Sequence, residues 1–596
     1  MPIVFPSEFT STKFDYLIVG GGNAGLTLGV RLSEDPNITV GIIEAGTHEV
    51  DVPEITIPGL LASTINNPKY DWAFYSTPQR HADGQALLQP RGKGLGGSTL
   101  INFLGLSRAN KDEYDLIEKL GNPGWNWDSL LGYMKKSENT ILTNSDPPFH
   151  GSEECKAYGQ HVYEFNGQNG PVYKTFPAFR SDVQKKVIET YKNLGVSPNP
   201  DGNNGSNIGA VTLLTSVDPR SMTRSSAFAA CFRANEGRKN LLVLTNAQVV
   251  KILLKPTEDG LQKAIGVDLV VLDDGMGTRE GPHILTVQNV ARDIIVSAGS
   301  FQSPQLLELS GIGNADILSE HGIPCRVPLP GVGENLQDHV CVRTFAEINK
   351  DCETADELAI WEVLKSQELS IRNSSEKKGH LTSIFSSLYT FLPSSRIMDL
   401  ENVNEWLERA IIQQDQQRAV DRGYERQREV LRKWIVDDKQ AQIEIINYAG
   451  HQGATGLKPV PGKRYNTFTA VLMHPLSRGT VHVSSNDPLA PPEINPNYLS
   501  DESDLEVLVK GLKFMLNLYS TPPFEQLVKE LVLPPPPAME SEKNLKKWVK
   551  KSITHVYHPV GTCAMMPRED GGVVDSKLKV YGTSNLRVAD CSILPL

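Results

Sequence analysis

One stretch near the start of the chain constrains the fold more than any other. Tyr16-Leu17-Ile18-Val19 is an apolar run that leads directly into glycines at Gly20, Gly22 and Gly25, spaced G-x-G-x-x-G. The run reads as a buried strand and Leu26 to Leu32 as the helix after it. Gly20 permits the tight turn, Gly22 leaves room for a pyrophosphate against the backbone, and Gly25 lets helix and strand pack closely. The start of that helix faces the phosphate charge. A second strand, Thr39 to Ile43, ends at Glu44, 24 residues after Gly20, near the ~20 expected of an acid that holds ribose hydroxyls. Alone the glycine pattern is weak evidence. With a strand before it, a helix after it and an acid at the next strand end, it predicts dinucleotide binding. A carboxylate at Glu44 disfavours a 2′-phosphate and so NADP; the loop leaves NAD and FAD open.

A second glycine-rich loop follows an irregular, proline-punctuated segment at 47–90. Between Arg91 and Asn102, four glycines fall within six positions, at Gly92, Gly94, Gly96 and Gly97. Such a loop lets backbone N–H groups approach a flat or anionic ligand.

Composition excludes some partners. With 59 basic and 70 acidic residues the net charge is −11, which argues against nucleic acid and against an anionic membrane surface. No apolar run reaches the ~18 residues of a membrane span. The start, Met1-Pro2-Ile3-Val4-Phe5-Pro6, lacks a basic region and a long apolar stretch. A cytoplasmic protein is therefore expected, with a mature secreted form as the alternative. The seven cysteines are scattered without C-x-x-C, so neither a disulfide framework nor a zinc site is expected. At 596 residues two intimately joined domains are expected.

Further along, Leu241 to Thr245, Ala247 to Leu254 and Asp293 to Ser297 read as strands, the last ending in a glycine turn at Ala298-Gly299. Within the Glu-, Gln-, Arg- and Lys-rich segment 399–440, Val403 to Ile435 reads as exposed helix; 466–484 reads as strands, and 503–518 as an amphipathic helix. No 20–50-residue period recurs.

Several motifs in order make a more specific signal than any one of them. PRGKGLGGSTLINFLGLSRANKDEYD at 90–115 resembles the first signature of the glucose–methanol–choline (GMC) oxidoreductases, FAD-dependent alcohol oxidases and dehydrogenases. GSFQSPQLLELSGIG at 299–313 is similar to the second, followed by VGENLQDH at 332–339. HPVGTCAM at 558–565 resembles the active-site histidine motif, and LRVADCSILP at 586–595 the C-terminal flavin motif. The resemblance covers nearly the whole chain and decides for FAD.

It implies an α/β fold: a Rossmann-like FAD-binding domain (1–165, 225–340 and 553–596) and a discontinuous α+β substrate domain of sheet and helices (166–224 and 341–552), whose sheet roofs the flavin. It implies cofactor contacts at Gly20, Gly22, Asn23, Ala24, Gly25, Glu44, Ala45, Arg91, Gly92, Gly97, Ser98, Asn102, Phe103, Val249 (by its backbone, beside the adenine), Ala298 and Asp590. It implies oxidation of a small-molecule alcohol to a carbonyl, with hydride passing to flavin N5, His558 as base, and electrons going on to oxygen or a quinone-type acceptor. An FAD-containing lyase or a redox-inactive member is the alternative.

Some relatives attach FAD through a histidine just before the signature asparagine; Ile101 stands there, so FAD is expected to be non-covalent. The family pattern also runs on to a second active-site His or Asn, whereas this sequence stops at Leu596 with an apolar end. A longer gene product and a weak 596-residue oxidoreductase are expected on that ground, with His555 the first residue to test as a substitute. His555 and His558 form H-x-x-H, but no acid or cysteine cluster completes a metal site, and none is expected. His339 and His474 read as structural.

Overall fold

The computed structural model describes residues 3–48, 50–142, 162–178, 181–272, 284–288, 290–359, 380–399, 403, 419–453 and 456–596. Its first layer is a five-stranded parallel sheet in the order Leu241–Leu244, Val40–Ile43, Tyr16–Val19, Ile294–Val296, Leu586–Val588. These strands are short apolar runs, buried almost throughout, as parallel sheets covered on both faces require. Leu17, Ile18, Val40, Ile42, Leu241, Val243, Ile294 and Val296 are each fully buried. Each such side chain contributes roughly 1.5–3 kcal/mol relative to exposure. The helix Asn23–Leu32 follows the first strand as read from the glycines.

Beside this sheet, the strands Ala247–Pro256, Gln262–Val271 and Ile284–Gln288 form an antiparallel ribbon. The other main layer is a six-stranded sheet. Leu388–Leu392, Ile443–Tyr448, Arg464–Leu472, Val340–Ile348 and Val528–Leu533 run in that order, and Thr554–His555 also pairs with the Val340 strand. Alternate residues such as Val340, Val342, Ile443, Ile445, Phe468 and Ala470 enter one large core. The period of two sends Cys341, Arg343, Glu444, Thr469 and Val471 to the opposite face.

The helix expected at 503–518 is Glu502–Tyr519, capped by the Asp501 side chain on Ser503 N–H. It is buried around most of its girth. It is held between the six-stranded sheet and the helices Asp182–Asn193 and Glu542–Ser552, and Gly511 brings its backbone close to Ile443. Of the charged helix read at 403–435, Ala419–Ile435 is helical; the reading for 404–418 lies outside the described residues. The six described free cysteines form no disulfide. Among the described residues no helix is long and apolar enough to cross a membrane, and no three His, Cys, Asp or Glu cluster as a metal site.

Candidate active site

The C-terminal ends of all five parallel strands open onto one cleft. Its walls include Val19 and Gly20 from the first strand, Ile43 to Ala45 from the second, Ala247 to Val249 after the Leu241 strand, Ser297 to Gln302 after the fourth, and Asp590 and Cys591 after the last. A ligand crevice at the carboxyl ends of the strands is the general rule for open parallel sheets. The cleft measures about 350 Å³.

Each glycine of the first loop does a different thing. Gly20 has φ +103°, and a Cβ there would lie 2.3 Å from the Ser297 carbonyl oxygen. A Cβ on Gly25 would lie 1.9 Å from the Gly20 carbonyl oxygen, so this position sets the helix–strand approach. A Cβ on Gly22 would meet nothing nearer than 3.8 Å; it would point into free space at the cleft wall. Gly22 is also the N-cap of its helix and brings no side-chain cap. The first N–H groups of the helix are thus left for a ligand. Across the cleft, Gly97 lies so close that its Cβ would come within 2.7 Å of the Gly22 Cα. The two glycine loops therefore form one cradle.

Glu44 ties the cradle together. Its Oε2 accepts from Gly21 N–H at 2.7 Å, and its Oε1 from Gly46 and Gly94 N–H at 2.8 and 3.1 Å. Burial raises its pKa, against the lowering effect of those three N–H groups. The carboxylate lines the cleft, and a ribose hydroxyl has only its remaining lone pairs to share. Asp590 is likewise both cap and wall: Oδ1 accepts from Ser592 N–H at 2.8 Å, and Oδ2 from Gly299 N–H at 2.9 Å and the Ser303 hydroxyl at 2.6 Å.

Of the residues named from the sequence, Gly20, Gly22, Asn23, Ala24, Glu44, Ala45, Arg91, Gly92, Gly97, Ser98, Val249, Ala298 and Asp590 all line this one cleft. Gly25 sits behind it. Asn102 turns its side-chain oxygen to the buried Arg224, which also donates to the carbonyls of Ile55, Thr99 and Asn102. Phe103 stacks on Tyr557, with centroids 6.4 Å apart. Ile101 is buried in the core beside the first helix.

His558 is outside the cleft lining but its loop is pinned to the cleft on both sides. The Tyr557 carbonyl accepts from Arg91 Nη2 at 2.6 Å, and the Pro559 carbonyl from the Ser300 hydroxyl at 2.6 Å. Arg91 and Ser300 both belong to the cleft wall. Tyr557 holds φ +68°, a conformation a bulky residue keeps only where its surroundings enforce it. The His558 side chain presents open surface, and its Nδ1 lies 3.2 Å from His339 Nδ1. With that surface open, its surroundings desolvate the ring only in part; this and then His339 lower its pKa from the usual imidazole value, which favours the neutral ring.

What holds this pair comes from tertiary contacts that no local pattern displays. Asp338 Oδ1 accepts from both His339 and His558 backbone N–H at 2.8 Å, and its Oδ2 accepts from the Tyr498 hydroxyl at 2.7 Å. His555 Nδ1 is 2.6 Å from the same Oδ2, and His555 Nε2 meets the Leu88 carbonyl at 2.8 Å. Burial raises the Asp338 pKa, but His555 and these hydrogen bonds outweigh it and hold the carboxyl well below the usual range. His555 is therefore buried with both ring nitrogens engaged. The expectation that it is the first candidate for a second active-site group is corrected here: the histidine facing His558 is His339. The signal for that lies in sheet register, Val340 opposite His555, which a sequence does not display.

Comparison with known proteins agrees with this architecture. Two family profiles, each described as GMC oxidoreductase, match residues 14–341 and 475–596. The GMC oxidoreductase family protein Mala s 12 of Malassezia sympodialis is 34% identical over 602 residues, covering 99% of this chain and 90% of that protein. Among solved structures, an FAD-dependent oxidoreductase from Chaetomium thermophilum superimposes with TM-score 0.85 at 28% identity, covering 98% of this chain and 95% of the other. A fungal aryl-alcohol oxidase does so with TM-score 0.82 at 26% identity, with the same coverage.

Proposed function

The chain belongs to the GMC oxidoreductase family of FAD-dependent enzymes acting on CH–OH donors, and from that premise we propose that it oxidises an alcohol to a carbonyl with His558 as the base. The observation that supports this reading is the His558 loop: the residues on either side of His558, Tyr557 and Pro559, are hydrogen-bonded through their carbonyls to Arg91 and Ser300 of the cofactor cleft's own wall.

The cleft fits FAD. The uncapped helix start at Gly22 to Ala24 and the backbone of Gly97 and Ser98 would hold the pyrophosphate, Glu44 and Ala45 a ribose, Val249 the adenine, and Ala298, Asp590, Arg91 and Gly92 the flavin side. Bound FAD supplies a hydride acceptor, which no side chain can. The rest falls to the protein. His558 accepts the hydroxyl proton, for which a neutral imidazole is suited. Asp338 fixes its backbone. Tyr557 and Phe103, stacked together beside His558, present aromatic surface to an alcohol. The face of the six-stranded sheet bearing Cys341, Arg343 and Val471 would cover a bound flavin on the side of the histidines.

FAD is held without a covalent bond, since Ile101 offers no nucleophile at the linking position. Acid precipitation should release a yellow supernatant; flavin remaining with the precipitate would contradict this. The reaction itself is tested by adding a panel of alcohols anaerobically to the flavin-loaded protein. Loss of the oxidised flavin absorbance is expected with at least one alcohol, and its recovery with oxygen or a quinone dye identifies the acceptor. Carbonyl formation or cleavage with the flavin still oxidised would instead indicate a lyase on this scaffold.

A further inference from the structure

The two facing imidazoles carry more information than their proximity. His339 stands at the head of the Val340–Ile348 strand and His558 three residues beyond His555, which pairs with Val340. That pairing brings their rings together, centroids 5.3 Å apart at 76°, with Nδ1 facing Nδ1 at 3.2 Å. A hydrogen bond between these atoms requires one nitrogen to carry the proton and the other to be bare.

A neutral imidazole has one N–H, and His339 engages the Nδ1 of His558. Among the described residues no protein group hydrogen-bonds His558 Nε2, which is therefore the ring nitrogen open to an alcohol. A base must present a lone pair there, so the His558 proton sits on Nδ1 and is donated to a bare His339 Nδ1. Both backbone N–H groups are bound to the same Asp338 oxygen, which holds the two residues' backbones together.

We propose that His339 is a positioning residue that fixes His558 in its Nδ1–H tautomer, leaving Nε2 as the atom that takes the alcohol proton. This rests on the reading of His558 as the base. The arrangement holds while both rings are neutral. Asp338, Arg91 and His555 face His558, and Asp338, His474 and Glu113 face His339. Desolvation lowers the pKa of each ring ahead of any of these charges.

The test combines a tautomer measurement with kinetics, on the full flavin-loaded chain. Nitrogen NMR of protein labelled with ¹⁵N-histidine distinguishes protonated from bare ring nitrogens, and His558→Ala identifies the His558 signals. The expected wild-type pattern is Nδ1 protonated and Nε2 bare. His339→Phe keeps a planar ring but removes the acceptor; His558 should become a mixture of tautomers, and anaerobic flavin reduction should slow roughly 10–10²-fold. That lies below the ~10⁴ caused by the wrong tautomer in a serine-protease triad, because part of the population stays correct. His339→Asn places an amide oxygen where Nδ1 stood, and should restore both the tautomer and most of the lost rate.

An Nε2-protonated His558 in the wild type would overturn the proposal. So would His339→Phe with tautomer and rate both unchanged, or His339→Asn that is no better than Phe while binding flavin normally. If His558→Ala slows reduction and His339→Phe does not, His339 alone is removed. If His558→Ala does not slow it, the base reading itself falls.

Discussion

Replacing Asp338 by Asn alters one atom and should loosen the whole histidine site. The carboxylate receives four contacts at 2.6–2.8 Å: two backbone N–H groups, the Tyr498 hydroxyl and His555. An amide placed there can still accept from both N–H groups through Oδ1, but as a neutral acceptor. Charge-assisted bonds contribute about 1.5–3 kcal/mol each against ~1 for neutral ones, so the two together lose about 1–4 kcal/mol. On the other side, the amide NH₂ meets a tyrosine hydroxyl that already accepts from Gln89, and the pairing with His555 is gone. A local loss of about 2–4 kcal/mol follows, below the ~3–5 for removing a buried partner outright. At 1.4 kcal/mol per tenfold, amide exchange at His339 and His558 should accelerate by roughly 30- to 10³-fold. The folded-state Asp338 pKa lies below the ~3.9 of an unfolded Asp. Its contribution is therefore complete above about pH 4 and lost as pH falls through the folded-state value, and the comparison belongs at neutral pH. Hydrogen exchange with mass spectrometry, on peptides covering 334–341 and 555–561, reads this directly. Unchanged exchange in both peptides of a folded Asp338→Asn protein would refute the clamp.

Two glycines of one motif should fail in opposite ways. Gly22→Val should give a folded protein that binds no flavin, since its side chain enters the cleft; Gly25→Val should fail to fold, since its Cβ meets the Gly20 carbonyl at 1.9 Å. Circular dichroism and flavin absorbance on the two variants separate these outcomes, and normal flavin content in Gly22→Val would remove the first loop from the site. The pH dependence of flavin reduction should also be unusual. An ordinary imidazole at pKa 6.5 is only about 3% neutral at pH 5, whereas the lowered pKa of His558, from partial desolvation and then His339, keeps more of it neutral there. The acid limb of the reduction rate should therefore lie below pH 6.5, and a limb centred near 6.5 would show the base to be an ordinary histidine.

Local chemistry was readable from residues alone. The strand–glycine–helix start, the acid at the second strand end and the second glycine loop each required only a turn, a close approach or an exposed backbone, and all three line the same cleft. Tertiary pairing was not readable. His339 and His558 are 219 positions apart and meet because of a register between the Val340 strand and the two residues Thr554–His555, a strand too short to show any period. Arg224 claims the Asn102 side chain from 122 positions away. The amphipathic reading of 503–518 holds, with Glu502, Glu506, Lys510, Lys513 and Asn517 along the less buried side; which elements pack on its apolar side, among them 182–193 and 542–552, was not readable for the same reason.

The central claim, that a neutral His558 takes the alcohol proton, is tested most directly by anaerobic stopped-flow reduction of the flavin in His558→Ala, using an alcohol that bleaches the wild type. The variant should retain FAD, because His558 is not part of the cleft wall. Its reduction should be slower by ~10²–10⁴, the usual contribution of a positioned acid–base group. Reduction at the wild-type rate, with flavin content intact, would contradict the account.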